Sequence, residues 1–370
     1  MIEVNRLYDF FKKNKINFFC GVPDSVLKNF SNLFEKQNSF KHLVAVNEGS
    51  AVGIGVGYYL STKKIPCIYF QNSGLGNAVN PLVSISHSKV YSIPALLMIG
   101  WRGAPNIKDE PQHSAKGLIT KDLLDLLQIR YCILRKNNNF KKLNKLLVYA
   151  KKYSRPVACL VERNILFNKN KKIKKTKKTK KNYFKRAIFI KELLRQIKPK
   201  TKIISTTGYT SRELMQIREE GNYNKGRDFY MIGGMGHALG VSLGASLKSN
   251  EEVICLDGDG SVLMHLGSLR TAAFFGKKNL KHIILNNGVH ESVGGQTTTS
   301  RTIDFKKMAS SIGYKIFLRL ASKKQLKKKI NLFLKSKGPT LMEVCIDQGT
   351  VANLKRPKNL KKIKNLFLQS

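Results

Sequence analysis

Short apolar runs recur along the chain, each closed by a polar turn and followed by a helical pattern. In the first half, residues 17–20, 42–46, 65–70, 92–99, 132–134 and 157–161 read as buried strands. Helical patterns are expected over 1–17, 26–34, 51–58 and 140–153, with the polar stretches 71–80 and 104–117 as strand-end loops. In the second half, strands are expected at 202–205, 229–232, 253–256, 282–285, 315–318 and 340–346. Helices are expected at 187–197, 239–246 and 261–275, with a basic helical tail from 353. Strand and helix alternate throughout. That order predicts α/β architecture, with two doubly wound parallel-sheet domains at 1–163 and 187–370.

The stretch between them changes character. From Asn168 to Arg186 there are eleven basic residues and no acidic one, so 164–186 reads as a lysine-rich linker. The net charge of +44 raises nucleic-acid binding as a function. The lysines, however, are spread over helix faces, connector and tail, and no zinc finger, RNP motif or aromatic-interleaved basic stripe is present. A non-catalytic, basic nucleic-acid-binding protein on a degenerate enzyme fold is therefore the weaker reading. The N-terminus is amphipathic and charged, unlike a signal peptide, and no apolar run is long enough for a membrane helix. The six scattered cysteines lie in or beside apolar runs without a CxxC pair. They read as buried, reduced thiols in a cytoplasmic protein.

Candidate chemistry concentrates at strand ends. After the apolar run 253–256 comes Gly258-Asp259-Gly260, then Ser261 at a helix start, and Asn286-Asn287-Gly288 after the next strand. Two neighbouring strand ends thus offer a carboxylate, two amides and a helix N-terminus. Those are donors for a hard divalent cation holding a phosphate-bearing ligand. The hydroxyl-rich turn from Thr206 through Gly208, Thr210 and Ser211 is a second seat for phosphate. In the first domain, Asp24 and Ser25 follow a strand and suit either a helix cap or a ligand contact. Glu48 opens a glycine-rich helix in apolar surroundings, as a cap or a site residue. The dense glycines of that helix suit close packing of another backbone, as at a subunit interface.

Gly-Asp-Gly, 25 residues and then Asn-Asn resemble the signature of thiamine-diphosphate enzymes. The stretches GVPDS, VNEGSA, QNSGLGNAVNPL, GWRGAPNIKDEPQH, TTGYTSREL, GGMGHALG, GDGS and NNGVHESVGGQ are similar to the phosphonopyruvate decarboxylase branch of that family, with the sulfopyruvate decarboxylases close by. The resemblance spans nearly the whole chain outside the linker, and departs from the family at Ala104 and Asn106, where Glu and Gly are usual.

It implies a pyrimidine-binding domain at 1–163, a diphosphate-binding domain at 187–370 and no central third domain. It implies thiamine diphosphate and Mg²⁺ as cofactors, with Asp259, Asn287 and the Val289 carbonyl as metal ligands. Gly208, Thr210, Ser211, Gly258, Gly260 and Ser261 would surround the diphosphate, and Met235, Gly236 and His237 the ring system. Glu48 would hydrogen-bond the aminopyrimidine and activate it, and His113 would serve as an acid–base group. Asp24, Ser25, Gln71, Asn72, Arg102 and Lys108 are the candidates for gripping a small anionic 2-oxo acid, the guanidinium fork of Arg102 suiting a phosphonate. The implied reaction is decarboxylation of 3-phosphonopyruvate in phosphonate biosynthesis, with sulfopyruvate or another 2-oxo acid as the alternative substrate. Glu48 and Asp259 fall in different domains, and the resemblance implies a homo-oligomer with the active site between subunits.

Overall fold

A computed structural model describes residues 1–34, 41–107, 109–135, 140–169, 183–221, 223 and 227–369. The chain forms two compact units, one of Met1–Lys177 with Val293–Gln296 and the other of Lys178–Ser292 with Thr297–Ser370. Of the expected linker, residues 170–182 lie outside the described residues.

In chain order, unit one contains β1 (Ile2–Glu3), α1 (Val4–Lys13), β2 (Phe19–Gly21), α2 (Lys28–Ser31), β3 (His42–Val44), α3 (Glu48–Thr62) and β4 (Cys67–Gln71). It continues with α4 (Leu75–Pro81), β5 (Leu96–Trp101), α5 (Pro111–Leu126), β6 (Arg130–Leu134), α6 (Lys141–Tyr153), β7 (Val157–Glu162) and β8 (Leu166–Phe167). Six of these strands form one parallel sheet in the order β3-β2-β4-β5-β7-β6. Consecutive residues of β5 feed opposite cores: Leu96 and Met98 enter one apolar cluster, Leu97 and Ile99 the other. A strand buried on both faces reads as a continuous apolar run, which is why these strands stand out in the sequence.

Unit two contains β9 (Phe184–Lys185), α7 (Arg186–Gln196), β10 (Lys202–Ser205), α8 (Tyr209–Glu220), β11 (Asp228–Tyr230), α9 (Ala238–Lys248), β12 (Val253–Gly258), α10 (Asp259–Met264) and α11 (Gly267–Phe275). It ends with β13 (Leu280–Asn286), α12 (Phe305–Ser311), β14 (Ile316–Leu320), α13 (Leu326–Lys335), β15 (Thr340–Asp347) and α14 (Leu360–Gln369). Its parallel sheet runs β11-β10-β12-β13-β15-β14, with β9 added against β15. In both sheets the order reverses between β2 and β4 and between β10 and β12, and turns back again at the far edge, where β6 lies outside β7 and β14 outside β15. Such reversals open a crevice at the strands' carboxyl ends, where ligands bind in open α/β sheets.

Some elements differ from the sequence expectation. The first helix stops at Lys13, not 17, and α2 is a single turn where 26–34 suggested a longer helix. The stretches 71–80 and 104–117 contain α4 and the start of α5. Small and polar residues, including buried Thr120, turn inward from α5, so the apolar periodicity that marks a helix is weak there. Residues 261–275 are divided between α10 and α11, with His265 in a non-helical conformation between them. Arg186, read as part of a solvated linker, is 5% exposed and opens α7 with its guanidinium paired to Glu213. The six cysteines are buried and unpaired. Among the described residues, no helix is long and apolar enough to cross a membrane.

Candidate active site

In unit one the crevice is lined from the ends of β2, β4 and β5 and the start of α3. Asn47 caps α3, its side chain accepting from Ser50 N–H, and this directs Glu48 into the protein at the first turn. Glu48 is 5% exposed, and Asn77 of α4 donates to its Oε2 at 2.8 Å. Gly74 lies directly against this side chain: a Cβ there would overlap the Glu48 carboxylate. A carboxylate held on one oxygen by one amide retains acceptor capacity for a ligand.

The other unit-one candidates form a connected lattice with assigned tasks. Asp24 accepts from the Val26 and Leu27 N–H groups at 3.1 Å through one oxygen, and from Gln71 at 2.6 Å through the other. Burial pushes its carboxyl up against those hydrogen bonds. Gln71 in turn accepts from Ser73 at 2.8 Å. Asn72 braces three elements: its amide donates to the Arg102 carbonyl and to Thr120, and its oxygen accepts from Arg102 N–H. Its polar groups are thus engaged inside the unit in this structure.

Arg102 is the main departure from the sequence reading. Its fork is closed on Asp109, with Nε and Nη2 at 2.7 and 2.5 Å from the carboxylate, and Nη1 donates to Ser25 at 3.1 Å. Glu110 lies at 3.4 Å. Burial raises the Asp109 carboxyl, but the Arg102 fork and the Gly103 N–H outweigh it and hold the group below its ordinary value. The Arg102 charge is thus balanced by Asp109 within the unit. Lys108 lies outside the described residues.

His113 sits in α5, half-buried, with Nδ1 lacking a hydrogen-bond partner among the described residues. Burial, then the Arg102 charge, holds it down to about 4, so it is a neutral imidazole across the physiological range. One turn on, Lys116 is half-buried, lowered by burial and close enough to Glu48 to be raised by its charge. Sequence reading missed this lysine because the segment was taken for a loop. The spacing of 113, 116 and 120 along one helical face was the available signal.

In unit two the crevice lies between the ends of β10 and β12. Asp259 opens α10 and is 3% exposed. Its Oδ2 accepts from Thr298 at 2.5 Å and Ser300 at 2.7 Å, and its carboxylate also accepts from the Asn287 backbone N–H. Burial pushes this carboxyl up, against those hydrogen bonds. The structure therefore brings Asp259 and Asn287 together. The Asn287 side-chain oxygen accepts from Val289 N–H at 3.1 Å, and its amide donates to Glu291 at 3.1 Å. The Val289 carbonyl accepts from Glu291 N–H. Glu291 is held in turn by Arg186 at 3.4 Å and by Gly349 N–H, and Arg186 by Glu213 at 2.9 Å. The sequence reading assigned no role to Thr298, Ser300, Glu291, Arg186 or Glu213.

The turn at β10 also divides into outward and inward members. Gly208 and Gly236 both have φ of +91°, a region that excludes most side chains. Gly258 has only a Thr206 methyl near its missing side chain. Ser261 Oγ joins three elements, bonded to Thr206 Oγ1 at 2.9 Å and to Gly236 N–H at 3.0 Å. Thr210 is buried in the first turn of α8. Ser211, expected at the diphosphate, is instead turned inward, bonded to the Thr206 carbonyl at 2.7 Å and to Ser205. It anchors the turn. Met235 is half-buried, and His237 stacks on His265 with ring centroids 4.6 Å apart. Gly260 is packed by the half-buried ring of His290, which would collide with a side chain there. The oxygen-only donors around Asp259 suit a hard cation, and the positive-φ glycines suit close approach of a phosphate.

Comparison with known proteins accords with this geometry. Residues 4–125 match the thiamine pyrophosphate enzyme N-terminal TPP binding domain, and residues 206–344 the corresponding C-terminal TPP binding domain. The chain is 34% identical to a phosphonopyruvate decarboxylase of Streptomyces hygroscopicus, over 92% of this chain and 86% of that protein. It is 33% identical to the enzyme of the same name from Streptomyces viridochromogenes, over 92% and 87%. A sulfopyruvate decarboxylase of Methanosarcina acetivorans is 26% identical over 93% and 91%.

Proposed function

Since this chain belongs to the thiamine pyrophosphate enzyme family and is a decarboxylase, we propose that it converts 3-phosphonopyruvate to phosphonoacetaldehyde and CO₂, a step of phosphonate biosynthesis. The observation that carries the choice of substrate is the 34% identity to a phosphonopyruvate decarboxylase across 92% of the chain.

Thiamine diphosphate, when bound, supplies the electron sink that loss of CO₂ from a 2-oxo acid requires. In this reading the protein's own groups do the rest. Asp259, the Asn287 side-chain oxygen and the Val289 carbonyl hold Mg²⁺, and the donor chemistry of Asp259 with its hydroxyl partners supports that assignment. Gly208, Gly258, Gly260, Thr210 and Ser261 line the diphosphate, while Ser211 supports the turn from behind. Met235, Gly236 and His237 flank the rings. Glu48 accepts a hydrogen bond from the aminopyrimidine and fixes which nitrogen carries its proton; the buried, singly hydrogen-bonded carboxylate supports this role. Lys116 and the Arg102–Asp109 pair face the anionic substrate, with Asp24, Ser25 and Gln71 shaping that end. His113, neutral in this state, takes up a proton as substrate charge raises its basicity.

We further assign the working form to a homo-oligomer of at least two chains, with Glu48 of one chain and Asp259 of another serving one cofactor. The glycine faces of α3 and α9 support this: beyond their own helix backbone and chain neighbours, Gly53, Gly57, Gly240 and Gly244 have no atom of the described residues within 4 Å of the missing side chain. Sulfopyruvate decarboxylation is the second reading, supported by the relative from Methanosarcina acetivorans. Phosphorus NMR of the protein with Mg²⁺, thiamine diphosphate and phosphonopyruvate should show phosphonoacetaldehyde accumulating. Turnover of sulfopyruvate with an inert phosphonopyruvate signal would reverse the assignment.

A further inference from the structure

Away from the crevice, unit two gathers one mixed set of sulfur, nitrogen and oxygen donors in its interior. β12 and β13 pair in parallel with Cys255 opposite His282. Asp257 is two residues beyond Cys255 and so faces the same side of the sheet. The Cys255 Sγ, one Asp257 oxygen and one His282 ring nitrogen all lie within 4.8 Å of one another. The three residues are 0, 1 and 0% exposed.

Packing does not account for this cluster. Both ring nitrogens of His282 are buried without a hydrogen-bond partner among the described residues. A native interior rarely leaves such groups unsatisfied. His282 Nε2 stands 3.7 Å from Asp257 Oδ2, too far for a hydrogen bond. That spacing is close to the roughly 3.5 Å edge of a tetrahedron built from metal bonds of about 2.0–2.3 Å. The Ser242 hydroxyl borders Cys255, and Tyr314, in the same apolar cluster as Cys255, has a buried hydroxyl that is also unpartnered.

Charge balance agrees. A thiolate, a carboxylate and a neutral imidazole sum to −2, which a divalent cation cancels. The neutral assembly can then sit among Leu239, Leu269 and Ile284, where an isolated charge would be costly. The mixture of thiolate, imidazole and carboxylate selects a borderline-soft ion over Mg²⁺.

We propose that Cys255, Asp257 and His282 bind one borderline-soft divalent cation, with Zn²⁺ the best match, at a site separate from Asp259. Binding breaks the Cys255 S–H bond, forms an S–metal bond and releases the proton to solvent. The ion ties β12 to β13 just behind the strand ends that carry Asp259 and Asn287, so it acts as a structural staple.

The test uses the full-length protein, incubated with Zn²⁺ and dialysed against Mg²⁺ buffer, with metal content read by mass spectrometry. About one zinc per chain is expected to remain. Co²⁺ in its place should give a thiolate-to-cobalt charge-transfer band. Cys255→Ala should abolish that band, His282→Gln should weaken zinc binding at least about tenfold, and Asp259→Asn should leave both intact. Retention below about a tenth of an equivalent by the unaltered protein, or an unchanged band in Cys255→Ala, overturns the site. The unaltered protein's stoichiometry decides the question even if a variant misfolds. Because no readout uses decarboxylation, failure of the substrate assignment leaves the result standing.

Discussion

Glu48 shows how the fold can bury a carboxylate and still leave part of its acceptor capacity open. One oxygen is fixed by Asn77, and Gly74 leaves room for the carboxyl group. Glu48→Gln should keep thiamine diphosphate binding and lower turnover at least about 100-fold, measured by cofactor titration beside steady-state rates. Gly74→Ala should reduce turnover with the unit still folded, because the new methyl displaces the carboxyl; unchanged rates with an intact circular dichroism spectrum would contradict it. His42 makes a different, thermodynamic prediction. Its Nε2 lies 2.8 Å from the Tyr69 hydroxyl, and burial holds its pKa down to about 4. Between pH 6.5 and about 4 the unfolded chain binds the proton first, so stability falls as pH falls through that window and levels off below it. His42 contributes up to about 3 kcal/mol of this slope, and His42→Gln should flatten it in urea titrations. Asp259 and Asn287 were legible in the sequence because motif and strand end coincide. Asn72, Ser211 and Arg102 were not, since their partners Thr120, Thr206 and Asp109 become neighbours only through the fold.

Elements are joined by buried ion pairs in unit two. Arg186 at the start of α7 holds Glu213 of α8 and also Glu291, which orients Asn287. Glu213→Ala leaves a buried guanidinium with Glu291 at 3.4 Å and the Tyr209 ring as its remaining partners among the described residues. Unfolding free energy from urea titration should drop by about 3 kcal/mol or more; a loss below about 1 kcal/mol would mean that Arg186 finds another partner or water. The strands were readable as elements because apolar residues face both sides of each sheet. α4 and α5 were not: α4 is short and rich in glycine and asparagine, with only Leu75 and Ala78 buried, and α5 turns Gly117 and Thr120 inward. Trp101 donates to the Gly117 carbonyl, and Gly103 and Gly117 approach so closely that side chains would not fit. That approach selects small residues, which erases the helical apolar stripe.

At the scale of the whole molecule, each unit leaves apolar surface uncovered. In unit two, Val241 and Leu247 of α9 and Phe274 and Phe275 of α11 are exposed, and Gly240 and Gly244 are open. Apolar area of this kind on an enzyme with +44 net charge argues for burial by another copy, since charge repulsion alone would keep chains apart. Sedimentation velocity should give a dimer or larger species. Gly244→Arg should shift it toward monomer and remove turnover together; an active monomer would contradict the shared-site reading.

The sequence by itself determined the two parallel α/β units, the acidic and amide turns at the ends of β12 and β13, and the glutamate at the head of α3. These depend on local order: apolar runs for strands, and turn residues at the strands' carboxyl ends. Only the tertiary structure decided that Arg102 is locked to Asp109, that Ser211 and Asn72 face inward, that Lys116 lies near Glu48, and that Cys255, Asp257 and His282 converge. Hydrogen bonds and charge pairs depend on distance in space, and parallel sheets bring together residues tens of positions apart in the chain.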